Sequence, residues 1–267
     1  MFSTFAIAAD AETVIETGKL ASAPALDGKA DDWSGVSGTE IALTGEGGVD
    51  KVTVKAAVVG DMIYFLAQWA DATESSNHKP YEWDEASGKY KRSRQLEDRL
   101  AFAFPISGDF AANHVGGNVM TTDVWHWKAF RSNEAGLAHD KSHVTSTEET
   151  KKAKKFKTEA GGEIYLSRPS DEGDKLYKAQ KHKEKVGDVM PSYEVNKEAK
   201  GSIADVKAKG VWSNGMWTLE MARKLDTGHA DDAVIPASGD VMMAIAAFND
   251  IDGEKHSVSK EITLRVK

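Results

Sequence analysis

Alternation of apolar and polar residues with a period of two recurs along this chain, and few windows keep a 3.6-residue period for more than three turns. That pattern confines the fold to β structure before any other property is considered. The clearest unit lies near the C-terminus. Residues Ile203 to Trp212 alternate, Ser213-Asn214-Gly215 supplies a tight turn, and Met216 to Leu225 forms the returning strand. Asn-Gly is the strongest short-range hairpin signal, because both turn residues tolerate positive φ. Upstream, Thr13 to Thr17 alternates, and Val52 to Trp69 reads as two strands joined at Gly60-Asp61. Leu100 to Ile106 reads as a strand terminated by Pro105, Val241 to Phe248 as a buried run, and His256 to Val266 as a closing strand. A polar loop is expected from Asp71 to about Gln95. The expected fold class is all-β, an antiparallel β-sandwich.

A chain of 267 residues with 40% hydrophobic content can bury a substantial core. One domain is expected over residues 12–267. Within it, residues 131–200 are rich in Lys, Glu, Ser and Gly and read as a long polar insertion. The run Lys151-Lys152-Ala153-Lys154-Lys155-Phe156-Lys157 reads as a solvated face. Residues 1–11 end in two small-x-small triplets, Ala6-Ile7-Ala8 and Ala9-Asp10-Ala11, similar to the cleavage end of a secretory signal. They are expected to be a signal-peptide remnant or a disordered tail. A net charge of −8 argues against general nucleic-acid binding, and no run of about 18 apolar residues predicts a transmembrane helix.

Cysteine is absent. Thiolate zinc sites, cysteine-ligated iron–sulfur clusters, thiol nucleophiles and covalent haem attachment are therefore excluded. The densest chemical segment is His114 to Arg131, which holds two histidines, Met120, Trp125, Trp127 and Phe130. Sets of His and Met suit haem iron or copper, and His114, Met120 and His126 have a spacing that could hold copper. In a strand, His126 points away from Trp125 and Trp127, and it reads as an exposed or hydrogen-bonding histidine. The Asn249 to Ser259 segment could hold calcium but lacks the full loop pattern and reads as a hairpin turn. His139 and His143 could meet as metal ligands on a helix, yet without a third partner they read as surface residues. No G-x-S-x-G, phosphate loop, G-x-G-x-x-G or H-E-x-x-H is present, so the chain is not expected to be an enzyme by itself.

Six segments carry a resemblance: Leu26 to Trp33, Glu97 to Phe102, Asp123 to Arg131, Gly210 to Leu219, Ala246 to Asp250 and Lys255 to Ser259. Together, in this order, they resemble the haem-binding (gamma) subunit family of ethylbenzene dehydrogenase, with related subunits in dimethylsulfide dehydrogenase and in selenate and chlorate reductases. The resemblance runs from about Ala25 to Leu264, with the Lys-rich insertion outside it. It implies a β-sandwich similar to carbohydrate-binding modules, holding one non-covalent haem b in the periplasm. It also implies an electron relay between the iron–sulfur subunit of a molybdopterin enzyme and a soluble periplasmic cytochrome. Family haems take a Met on one side and a Lys, or in some members a His, on the other. Met120 matches the Met position. In Lys255-His256-Ser257-Val258-Ser259 the ligand register falls on His256, with Lys255 adjacent, so the expected axial pair is Met120 and His256, with Lys255 in place of His256 as the fallback. Trp125, Trp127 and Phe248 are expected in the haem-pocket wall or the adjacent core. The alternative function is a carbohydrate-binding module whose exposed tryptophans stack on sugar rings; copper binding is a third reading.

Overall fold

The computed structural model describes residues 12–267, and the expected N-terminal signal remnant at 1–11 lies outside them. Among the described residues strands dominate, and helix is limited to three single turns of 3-10 type. One continuous hydrogen-bonded ribbon folds back on itself to make two layers. The first layer contains Thr39–Ala42, Lys51–Val59, Met62–Ala70, Met216–Lys224 and Lys207–Ser213. The second contains Lys154–Lys157, Glu163–Ser167, His139–Ser146, Met120–Lys128, Arg99–Gly108, Gly239–Phe248 and Ile262–Val266. Thr13–Gly18 joins the layers at the corner. Its Thr13 to Glu16 pair with Ile262–Val266, and its last two residues pair with Lys51–Val59. Both pairings are parallel, whereas every other pairing in the ribbon is antiparallel, so the sheet is mixed rather than purely antiparallel.

The core lies between the layers and is aromatic. Phe65 of the first layer meets Phe102 at 5.1 Å and Trp125 at 5.9 Å of the second, each edge to face. Trp127 stands edge-on to both Trp69 and Trp217. All of these rings are buried. Burying each contributes about 3 kcal/mol, and the edge-to-face geometry adds to that. The Asn214-Gly215 hairpin forms, with Trp212 opposite Trp217, but its first strand starts at Lys207 rather than Ile203, because Ser202–Ala204 is a 3-10 turn.

Three expectations change. The stretch from Asp71 to Gln95 is not all loop, because Tyr81–Asp84 and Lys89–Arg92 form a hairpin to which Val189–Met190 adds. Pro105 does not end its strand. Arg99–Gly108 continues through it, with the register shift between Pro105 and Ser107 that a residue lacking an N–H requires. The third change bears on function. Residues 131–200 are not an appendage, since His139–Ser146 pairs with Met120–Lys128 over six residues and Glu163–Ser167 and Lys154–Lys157 extend the same layer. Its alternating polar residues sit on the outer face of this layer, opposite the core. That face is where the cavity lies.

Candidate functional site

Strand alternation sends Trp125 and Trp127 inward and Val124, His126 and Lys128 outward. Register then assembles these outward residues with those of three neighbouring strands. Ala101 stands between Ala246 and His126, Ala103 between Ala244 and Val124, and Arg99 between Phe248 and Lys128. On the far side His139 stands opposite His126, Lys141 opposite Val124 and His143 opposite Thr122. The result is a floor of small apolar residues, Ala101, Ala103, Val124, Ala244 and Ala246, bounded by imidazoles and cations. Segments 112–115, 154–156 and 253–258 wall in a cavity of about 670 Å³. That volume suits a cofactor-sized ligand.

The cavity is cationic. Arg99, Lys128, Arg131, Lys141, Lys154 and Arg168 line it, against a single lining carboxylate, Glu254. Lys128 is buried, with Nζ 2.6 Å from His139 Nδ1 and 3.3 Å from Tyr177 Oη. Desolvation holds the Lys128 ammonium well below its ordinary range and lowers Lys141 to about 8 and Arg99 to about 10. Arg131 is anchored by buried Glu97, which also accepts the Phe130 and Arg131 backbone N–H groups. Glu97 pairs with Arg131, and Glu254 with Lys154 and Arg168, so an anionic ligand would offset the cationic charge that these two carboxylates leave over.

Five histidines line the cavity: His114, His126, His139, His143 and His256. Burial lowers all five, His114 to about 4 and His126 and His143 well below their ordinary value, so at neutral pH these rings offer lone pairs rather than charge. Three are engaged. His114 Nδ1 and His143 Nδ1 are 2.8 Å apart, and His139 contacts Lys128 and Ser170 Oγ. His126 Nε2 and His256 Nδ1 are buried without a hydrogen-bond partner, although the His256 ring also has a backbone contact with Gly253 that counters part of the effect of burial. Both of these rings stack on Phe248, at 5.5 and 5.2 Å between centroids, and Arg99 lies 4.1 Å from the same ring centre. Buried polar atoms are nearly always satisfied, so two orphaned imidazole nitrogens in one cavity call for a ligand.

The expected site residues divide. His256 and Phe248 line the cavity. Met120 shares a strand face with His126 but does not line it, because its buried sulfur accepts the Ala111 N–H at 3.3 Å. Trp125 and Trp127 are core, not cavity wall. Lys255 lies outside the cavity lining, exposed and paired with Glu46 at 2.9 Å. His114 and His126 reach the cavity without Met120, so the copper set does not assemble. The tryptophan platform is missing too, since Trp33, Trp69, Trp125, Trp127 and Trp217 are buried and Trp83 and Trp212 are half-buried. The acidic 249–259 segment is a turn, with Asp250 Oδ1 accepting the Leu96 N–H.

Sequence reasoning missed His126, His139, His143, Lys128 and Lys141 as cavity residues. The available signal was alternation, in the sets 124, 126, 128 and 139, 141, 143. The familiar motif residues themselves are mostly structural. Glu220 accepts the Asp27 and Gly28 N–H groups and the Trp33 indole, and Asp98 accepts the Ser75 and Asp250 N–H groups and the Trp217 indole.

The family model described as ethylbenzene dehydrogenase matches residues 20–260, a span that includes the whole Lys-rich segment. None of the curated proteins matches the chain. Among solved structures, a candidate carbohydrate-binding protein from Bacteroides uniformis is similar at 11% identity and TM-score 0.47, covering 96% of this chain and 100% of that one. A family 9 carbohydrate-binding module from Caldicellulosiruptor kristjanssonii, solved with cellotriose, is similar at 12% identity and TM-score 0.41, covering 96% and 95%.

Proposed function

We propose, from the premise that this chain belongs to the ethylbenzene dehydrogenase family, that its cavity holds a non-covalent b-type haem and that the protein is the electron-transfer subunit of a periplasmic oxidoreductase complex. The observation that carries this reading is the pair of unpartnered imidazole nitrogens, His126 Nε2 and His256 Nδ1, in a cationic cavity floored by alanines. A flat floor of small side chains suits a planar ring. Neutral imidazoles suit iron, and clustered Arg and Lys suit the carboxylates of such a group. With no cysteine in the chain, such a group would be held by side-chain ligands and packing, without a thioether tether.

His256 keeps the role that the resemblance implied for it. His126, rising from the floor opposite Ala101, would be the second residue to hold the iron in this reading. Met120 is the alternative to His126, and it becomes available once the Ala111 N–H releases its sulfur. When bound, the haem supplies a one-electron couple. This chain's residues bind and orient it, exclude water through the 112–115 and 253–258 walls, and set its potential through ligand identity and the surrounding positive charge. The partners of this reading are an iron–sulfur subunit of a molybdopterin enzyme and a soluble periplasmic cytochrome.

The test is a comparison of oxidised and dithionite-reduced absorption spectra of the purified protein with those of His126→Ala, His256→Ala and Met120→Ala. A low-spin spectrum lost in His126→Ala and His256→Ala, and kept in Met120→Ala, supports the bis-imidazole assignment. Loss in Met120→Ala with retention in His126→Ala moves the second ligand to Met120. No haem uptake by the parent protein overturns the reading.

A further inference from the structure

On the opposite face of the same two strands, at the edge of the sandwich core, four carboxylates gather around one guanidinium. Asp123 and Asp140 lie a diagonal step apart, since Asp123 pairs with Ser142 and Asp140 with Trp125. Asp171 and Asp232 come from loops, and Arg223 from the Met216–Lys224 strand. Asp123, Asp140 and Arg223 have no exposed surface, and Asp232 and Asp171 are 6% and 7% exposed. Fully ionised, the group carries three uncompensated negative charges in a place where even one costs several kcal/mol.

Its hydrogen bonds do not account for that charge. Asp123 Oδ2 accepts from Arg223 and the Ala233 N–H, Asp232 Oδ2 from Thr227, and Asp171 Oδ1 from Ser142. Asp123 Oδ1, Asp171 Oδ2, Asp232 Oδ1 and both oxygens of Asp140 have no hydrogen-bond donor. Asp232 Oδ1 has an ion-pair contact with Arg223 Nη1 at 3.1 Å, but Asp140 Oδ2 is 3.8 Å from that nitrogen, beyond hydrogen-bonding reach. Asp140 is thus wholly buried with both oxygens unpartnered, directed into a cluster of further carboxylates. One oxygen each from Asp123, Asp140 and Asp232 lie within 4.8 Å of one another. That limit is the span across an ion with bonds of about 2.4 Å, the calcium–oxygen distance.

We infer that Asp123, Asp140 and Asp232, with Asp171 beside them, form a buried structural site for a hard divalent cation of the calcium class. The donor set is all oxygen, with no nitrogen or sulfur to favour zinc or copper, and a flexible carboxylate cage suits calcium better than magnesium, which keeps its waters. Bound protons are the competing solution. Desolvation raises Asp140 and brings Asp171 to about 7, so a cation would compete with the protons these two hold, while Asp232, at about 6, is mostly ionised at neutral pH. The inference is independent of the haem reading, because the cluster lies on the core side of the strands and the cavity on the other.

The experiment uses the full chain purified from calcium-containing buffer and freed of loose ions by gel filtration. Elemental analysis is expected to give about one calcium per chain, and prolonged EGTA treatment to lower Tm by about 5–10 °C, restored by calcium, if the working concentration is about 100-fold above Kd. Terbium added to the EGTA-treated chain is expected to luminesce on tryptophan excitation, since Trp125 lies 4.6 Å from the Arg223 guanidinium within the cluster. Asp140→Asn removes these responses. His229→Ala keeps them, which separates the buried cluster from the group in which half-buried Asp205 and exposed His229 share Asp232. Absence of any divalent ion with an EGTA-insensitive Tm in the parent chain overturns the inference, as does loss of the responses in His229→Ala with retention in Asp140→Asn.

Discussion

His126 and His256 differ from the other three cavity imidazoles in having a buried ring nitrogen without a partner. His139, by contrast, contacts Lys128 and Ser170. Substituting His139 with Ala is therefore expected to leave the low-spin haem spectrum in place. Lys255→Ala is expected to be silent in both spectrum and stability, because an exposed ion pair contributes about 0–1 kcal/mol. A pH response follows from Lys141, which burial lowers to about 8. Between pH 8 and about 10.5 the unfolded chain keeps this proton and the folded one releases it. Stability of the haem-free protein should then rise with pH across that window, on the order of 1 kcal/mol per pH unit. Thermal unfolding at pH 8 and 10 checks it, and a fall would mean that Lys141 stays charged in the fold. Residue identities were thus partly legible beforehand. His256 and Phe248 follow from the resemblance, while Lys128 and the 139–143 histidines depend on which strand lies next to Met120–Lys128, and no local pattern states that.

At the scale of elements, two glycines show how segments hold the site without touching a ligand. The turn around Gly47 lies against the chain that carries His256. A Cβ on Gly47 would meet the Ser257 nitrogen at 2.1 Å and the Ala247 oxygen at 2.5 Å. Gly47→Ala should displace the 256–258 segment and weaken haem binding at least tenfold by titration, a loss of about 1.4 kcal/mol. Unchanged affinity would separate the turn from the site. Gly210 does the same for the core, since its Cβ would come within 2.3 Å of Trp127 Cζ2. Gly210→Ala should cost about 1–3 kcal/mol in denaturant unfolding, the usual penalty for overpacking. Hairpins were legible wherever turn chemistry marks them, as at Gly60-Asp61 and Asn214-Gly215. The Lys-rich strands were not, because their polar composition matches a solvated loop. Lys155 and Lys157 do face solvent, whereas Lys154 and Phe156 of the same strand line the cavity.

For the molecule as a whole, a net charge of −8 conceals a cationic interior site, so bulk charge gave no hint of an anionic ligand. The sandwich itself was legible from alternation, and so was the separation of Trp125 and Trp127 from His126. What one sequence withheld was the position of 131–200, which supplies His139–Ser146 as one wall of the cavity. Deleting residues 151–160, which carry Lys154 and Phe156 of the strand at the outer edge of that same side, should leave the aromatic core folded and lower haem affinity, read by near-ultraviolet circular dichroism together with titration. The most direct test of the central claim is an equilibrium haemin titration of the full chain followed at the Soret band. One haem per chain is expected, in a low-spin spectrum that is absent from both His126→Ala and His256→Ala. Titration without saturable uptake, or uptake with the same spectrum in both variants, would contradict the assignment of this cavity to haem.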